Sequence, residues 1–362
     1  MSGRGLAALR FVATLAAGAF AIWLSYRLGP GDRSLYTLMG LYSLVAIGLS
    51  LLMGFAGQIS LGQGAFYALG AYTAGILTVG VDPDSRLVDP AAGIDPALAV
   101  VAAPLVTGLV AAVIGVPLLR LRGHYLAFAT LALHLILLAA LFAQSRFTGG
   151  QDPGLLVIKP LELFGWQITG VTGGTARHTA IVWGLVVVTL LVAHNLVGSR
   201  AGRALRAIAT SERTAAAAGV EVASYKLRLF VLSAALAGLA GALYVFLLQF
   251  LSPDAFPVFL SIQFVVMVTV GGLGSIYGAV LGAVAITWLE HELRDLGTRP
   301  TLLGIDLPDQ APQAFSVGAF AAILILVILF FPRGLLPALA DGVGRLSARR
   351  NEAPRAGDRQ GA

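Results

Sequence analysis

Residues 54–66 set three uncharged hydrogen-bonding side chains, Gln58, Ser60 and Gln63, among four glycines, Gly54, Gly57, Gly62 and Gly64. Amides and a hydroxyl can hold a polar solute or a backbone group, but they carry no charge and cannot relay protons at ordinary pH. Each glycine weakens a helix interior by about 1 kcal/mol relative to alanine. The spacing therefore predicts a helix break at Gly54, Gly57 and Gly62. At membrane depth, irregular backbone is tolerated only in the protein interior or along a cavity. Tight helix packing without any solute contact would use the same small residues.

Other reactive constellations fail on spacing. His291-Glu292 begins like H-E-x-x-H, but Asp295 stands where the second histidine belongs. No G-x-S-x-G elbow surrounds Ser60 or Ser275. The P-loop pattern is absent, and the lysines, Lys159 and Lys226, follow no such loop. Cysteine is absent, which removes disulfides and thiolate metal sites. No catalytic residue, metal site or cofactor is expected, and an ATP-driven process would need a separate subunit to bind the nucleotide.

The elements that carry these residues are set by hydropathy. Hydrophobic residues make up 57% of the 362 and charged residues 12%, about half the charge of an ordinary soluble domain. The runs free of Asp, Glu, Lys and Arg are 11–26, 34–81, 96–119, 123–145, 178–199, 229–253, 255–289 and 310–332. A spanning helix needs about 20 apolar residues. Run 34–81 suffices for two, divided at the glycine segment. Run 255–289 is ambiguous, with Gly271-Gly272-Leu273-Gly274 in its middle. The glycine pairs 54/57 and 271/274 could be matching breaks in two halves. Arg4 and Arg10 precede run 11–26 as in a signal peptide, but no clear cleavage pattern follows, so an uncleaved first helix is expected.

Charge placement favours two crossings for run 255–289. Cytoplasmic loops are rich in Lys and Arg. With about ten crossings (8–10 by length alone), both termini face the cytoplasm, and 16 of the 24 Lys and Arg lie on that side. The outer loop 82–95 then carries Asp82, Asp84, Asp89 and Asp95. The net charge of +6 thus reflects orientation in the membrane rather than nucleic-acid binding. No run contains an acid or a base other than histidine, which argues against a carboxylate proton relay. His134 alone lies deep, where a helix–helix hydrogen bond is its plainest role.

One cytoplasmic stretch, 199–228, exceeds what topology requires. Its alanine-rich part is a strong helix former, and Gly219 is a natural C-terminal cap. The stretch reads as two short helices on the inner side, a surface suited to docking.

Taken together, these segments resemble the LivM-type permease family of branched-chain amino-acid ABC transporters, over roughly residues 35–336. Gly57-Gln-Ile-Ser-Leu-Gly62 with Gly70-Ala-Tyr72 is similar to its first signature. Arg122-Gly-His-Tyr125-Leu-Ala-Phe-Ala-Thr130 resembles its R-G-x-Y-x-A-x-x-T segment. Thr148-Gly-Gly150 with Gly154-Leu155, Gly202 through Gly219, Gly271 through Gly278, and Pro332-Arg333-Gly334-Leu335 complete the match. Ser211 stands where asparagine is expected, and His134 where the family pattern runs nearer Phe-Glu. The resemblance implies an all-α transmembrane bundle in the bacterial inner membrane, one permease domain over 1–336 and a basic, disordered cytoplasmic tail over 337–362. It implies a second homologous permease, two P-loop ATPase subunits, a periplasmic solute-binding protein and membrane lipid as partners. The coupling element would be Arg200, Arg203, Arg206, Glu212, Ala215 and Gly219. The translocation path would be lined by Gln58, Ser60, Gln63, Tyr125, Thr130 and His134, with breaks at Gly54, Gly57, Gly62, Gly271, Gly272 and Gly274. A same-fold permease for urea, short amides or another amino acid is the alternative, followed by a stand-alone passive channel.

Overall fold

The computed structural model describes residues 3–79, 93–121, 123–144, 158–163, 166–169, 175–297 and scattered positions between 301 and 329. The described residues are overwhelmingly helical: α1 (Gly3–Arg27), α2 (Pro30–Ser50), α3 (Gln63–Val79), α4 (Pro96–Leu118), α5 (His124–Ala143), α6 (Thr175–Gly198), α7 (Arg200–Thr210), α8 (Glu212–Ala217), α9 (Val222–Leu248), α10 (Val258–Gly271) and α11 (Ile276–Gly297). Two tiny antiparallel pairs, Glu162–Leu163 with Trp166–Gln167 and Thr301–Leu302 with Ile305–Asp306, are the exceptions. Among the described residues, six helices are long and apolar enough to cross a membrane.

The long run 34–81 and the ambiguous run 255–289 both divide. Helix α2 starts at Pro30, where the missing N–H costs nothing. It loosens into a π turn, Leu51–Phe55, and stops before the irregular segment 57–62. Run 255–289 becomes α10 and α11, joined by the turn at Gly272-Leu273-Gly274, where both glycines hold positive φ, +112° and +83°. A Cβ on Gly271 would lie 2.0 Å from the Gly278 carbonyl oxygen, and one on Gly282 1.9 Å from that of Met267. The pairing of 271 with 278 and 267 with 282 makes α10 and α11 an antiparallel hairpin in backbone contact.

Small residues set the packing throughout, as expected where lipid removes the hydrophobic drive between helices. Helix α4 turns Ala99, Ala103, Gly108, Ala111 and Gly115 inward and Leu98, Val101, Leu105, Leu109 and Val113 outward. This inverts the pattern of a soluble core and suits a hydrocarbon solvent. Helix α9 packs along α3 and α4: Gly70 and Gly241 let its backbone meet that of α3, at Gly238 and Tyr67, and Gly238 leaves room for Thr107 of α4. Among the six long apolar helices, the one from Pro30 through the π turn to Phe55 is the most buried, enclosed by α6, α9, α10 and α11. Arg122, the Thr148-Gly-Gly150 and Gly154-Leu155 element, Pro332–Leu335 and the tail 337–362 lie outside the described residues, as does nearly all of run 310–332.

Candidate translocation path and coupling element

Segment 56–64 is threaded through the bundle by polar contacts from three helices. The Leu61 N–H donates to Thr130 Oγ1 at 2.9 Å, and Thr130 itself donates to the Ala127 carbonyl. The Gly64 N–H donates to Ser261 Oγ at 2.9 Å. Gln63 Nε2 donates to Ser233 Oγ at 3.0 Å, and the Gly62 N–H reaches Ser60 Oγ at 3.4 Å. Gln58, Ser60, Gln63, Thr130 and His134 are all buried, and Gly62 lies against the Thr130 backbone. Tyr125 stands apart from them, 76% exposed on the outer face of α5.

The chemistry of His134 is fixed by its partners. Its Nε2 lies 3.2 Å from the Phe256 carbonyl oxygen, which can only accept, so Nε2 carries the proton. Its Nδ1, 2.8 Å from Ser261 Oγ, then accepts the serine proton, and Ser261 Oγ in turn accepts from Gly64. Both ring nitrogens are engaged within the protein, and the histidine ties α5 to α10 and to the first turn of α3. Gln58 differs. Its amide oxygen and nitrogen have no hydrogen-bond partner among the described residues, and neither do Gln63 Oε1 or the hydroxyls of Tyr67 and Tyr72. An unmatched buried polar group costs about 1–3 kcal/mol, so these atoms hold unused hydrogen-bonding capacity, as do Thr107, Thr287 and His178 elsewhere in the bundle.

The two glycine breaks meet. A Cβ on Gly54 would lie 2.4 Å from the Gly274 nitrogen and 2.6 Å from its Cα, and Ser50 Oγ reaches the Ser275 carbonyl at 3.4 Å. Gly57, with φ +64°, lies beside Ala209 of α7, whose Cα would be at ordinary van der Waals distance, 3.6 Å, from a Cβ there. The end of α7 thus sits on the α2 break, and the α2 break on the α10–α11 turn.

Helices α7 and α8 divide at Ser211, whereas the sequence reading places the division at Gly219. The Ser211 hydroxyl caps α8 by accepting from the Thr214 N–H at 3.3 Å, as Ser199 caps α7 through Gly202. Gly219 instead ends α8. Its N–H bonds the Ala216 carbonyl and the Val220 N–H bonds the Ala215 carbonyl, each at 3.0 Å, with Gly219 at φ +82°. This is the Schellman arrangement. Gly202 makes the tight turn from α6 to α7, where a Cβ would lie 2.2 Å from the Val197 carbonyl oxygen. Leu205, Ile208 and Ala215 are buried, while Arg200, Arg203 and Arg206 are exposed along α7. Lys226, at the foot of α9, is buried and ion-paired to Glu212 in the first turn of α8.

Sequence reasoning missed several members of this site. Ser233, Ser261 and Phe256 come from distant segments that only the fold brings to residues 58–64. The Glu212–Lys226 pair depends on the reversal at Gly219. Glu290, one residue beyond an apolar run, accepts from Gln263 inside the bundle and pairs with Arg294 at 2.5 Å. The sequence signal for the serines was their isolation in apolar helices, where a hydroxyl needs a partner.

A family profile described as "Branched-chain amino acid transport system / permease component" matches residues 32–331. The high-affinity branched-chain amino acid transport system permease protein LivM of Salmonella typhimurium is 28% identical over 331 residues, covering 86% of this chain and 71% of that protein. LivH of the same organism, also a high-affinity branched-chain amino acid transport system permease protein, is 25% identical over 311 residues, 83% and 92% of the respective chains. The ribose import permease protein RbsC of Escherichia coli is 29% identical over 264 residues, 70% and 75% of the respective chains. No solved structure matches. The profile match runs through both glycine breaks and the α7–α8 element, and the chain belongs to the family of branched-chain amino acid transport permease components.

Proposed function

We propose that the chain is the membrane-spanning permease subunit of an ATP-driven importer of branched-chain amino acids in the bacterial inner membrane. A periplasmic binding protein delivers the solute, a second homologous permease completes the path, and two separate P-loop ATPases supply the energy. Helices α1–α6 and α9–α11 with the apolar run 310–332 make about ten crossings, with both termini and α7–α8 on the cytoplasmic side. Residues 1–336 form the permease domain and 337–362 a cytoplasmic tail.

The observation that carries this reading is the seat of Ala209 on Gly57. It joins an exposed basic helix to a break in a membrane helix enclosed by four others. An ATPase holding α7–α8 through Arg200 and Arg203 moves the adjoining α2 break, and the Gly54–Gly274 contact carries that motion to the α10–α11 turn. Nucleotide shifts the balance between inward-open and outward-open arrangements only as far as the ATPases bind it differently in the two. The amides of Gln58 and Gln63 meet the polar ends of the passing solute. They form no charged site, and a weak site favours release. His134 and Thr130 hold the segment in place.

The test is uptake by the reconstituted complex in proteoliposomes, with the binding protein supplied. Leucine, isoleucine and valine are compared with urea and with ribose, since RbsC carries the name of a ribose import permease. ATP-dependent uptake of the branched-chain amino acids is expected. Preference for another solute would overturn the substrate assignment, and solute flux without ATP would favour a passive channel.

A further inference from the structure

On the side of α2 away from the polar segment, α1, α6 and the first turns of α11 enclose a crevice of about 820 Å³. Its walls are apolar, from Ala13, Ala17 and Gly18 on α1 to Val187 and Leu190 on α6 and Val280 on α11. The two hydroxyls at its α1–α11 seam satisfy each other, Thr14 Oγ1 lying 3.0 Å from Tyr277 OH. Apolar cavities hold no ordered water. The lining along α6 runs from Trp183 to Gly198, about 22 Å at the helical rise, against about 15 Å for one leaflet of the hydrocarbon core. At its α7 end stands Arg206, the one Lys or Arg of its described lining. Arg206 is exposed and has no ion-pair partner among the described residues. The described lining has no Asp or Glu, so the ammonium group of an amino acid finds no counter-charge there.

We propose that this crevice is a binding site for one anionic phospholipid of the inner leaflet, with acyl chain in the α1–α6–α11 cleft and phosphate on Arg206. Basic pockets between membrane helices on the cytoplasmic side recognise such headgroups. Phe55, Gly274 and Ser275 also line the crevice, so the lipid touches both glycine breaks at their junction. Lipid occupancy thereby stiffens the hinge through which α7 acts.

The inference rests on the reading that α7 faces the inner leaflet. It is tested without ATPases or solute, by native mass spectrometry of the full-length protein extracted from mixed phosphatidylglycerol–phosphatidylethanolamine vesicles. Wild type should retain phosphatidylglycerol in preference. Arg206→Gln should lower that preference about fivefold, the worth of one basic residue at the surface, whereas Arg203→Gln, outside the crevice, should not. Ala17→Phe should lose bound lipid of both kinds, and if that variant fails to fold the arginine pair still decides. Equal retention of the two lipids by wild type, or equal effects of the two arginine changes, overturns the site. So does wild-type protein free of phospholipid, its crevice closed by the second permease or by the chain's own segment 310–332. Selective lipid retention in a protein that recovers no ATPase would instead count against the importer reading alone.

Discussion

Replacing Gly219 by alanine adds one methyl at a position where φ is +82° and no heavy atom lies within 4 Å of the new Cβ. No clash results, so the penalty is purely conformational. Left-handed backbone costs an L-residue roughly 1–2 kcal/mol, which lowers the ratio of capped to uncapped α8 by about 5- to 30-fold. The cap also sets the reversal that brings Lys226 to Glu212. Asparagine tolerates this backbone better than alanine, and valine, being β-branched, tolerates it least. Uptake per ATP hydrolysed, measured in proteoliposomes holding the full transporter, should therefore fall in the order Gly, Asn, Ala, Val. The recovered amount of assembled complex should stay nearly constant. Wild-type coupling in the valine variant at wild-type assembly would refute the reasoning, as would equal losses in the asparagine and valine variants.

Gly54→Ala should sharply reduce folded protein, because its Cβ falls 2.4 Å from Gly274 backbone; Gly184→Ala, with nothing within 4 Å in mid-helix, should leave it unchanged or raise thermal stability by about 0.5–1 kcal/mol. Glu212→Gln leaves a buried lysine without its counter-charge and should lower the melting temperature more than Lys226→Met, with the double variant close to Lys226→Met. A double variant less stable than either single one would contradict the pairing. His134→Leu strands the Phe256 carbonyl and the Ser261 hydroxyl, a loss of about 1–3 kcal/mol in detergent melting, with the order of substrates unchanged. Gln58→Leu removes polar atoms that have no partner; stability should hold or rise while the uptake rate changes, and an unchanged rate would remove Gln58 from the path.

Hydropathy and glycine spacing carried much of this fold in plain view. Four glycines in residues 54–64 predicted a break, and α2 passes into a π turn, Leu51–Phe55, that runs into the first of them. The ambiguous run 255–289 divides at the glycines singled out for it. The contact between those breaks was not legible, since it depends on how two helical pairs pack 220 residues apart in sequence (Gly54 against Gly274). Ser211 was likewise passed over as a divider, because the alanines on either side favour one continuous helix and only the serine's competing side-chain bond ends it. Of the polar residues proposed for the path, Gln58, Ser60, Gln63, Thr130 and His134 gather round one segment, while Tyr125 stands on the outer surface. Residue type alone cannot tell an inward from an outward position on a helix that is apolar all round.

The chain has no cysteine of its own, so a single introduced thiol can report whether an ATPase holds α7–α8. A single cysteine at Arg203, exposed on α7, would be treated with a thiol cross-linker in the complex purified in mild detergent, with a cysteine at Asp95 as the opposite-face control. The account predicts a cross-link from position 203 to a P-loop ATPase that changes in yield when ATP is bound, and none from position 95. Cross-linking to the ATPase from position 95, or recovery of the chain without any ATPase under conditions that preserve solute flux, would contradict it.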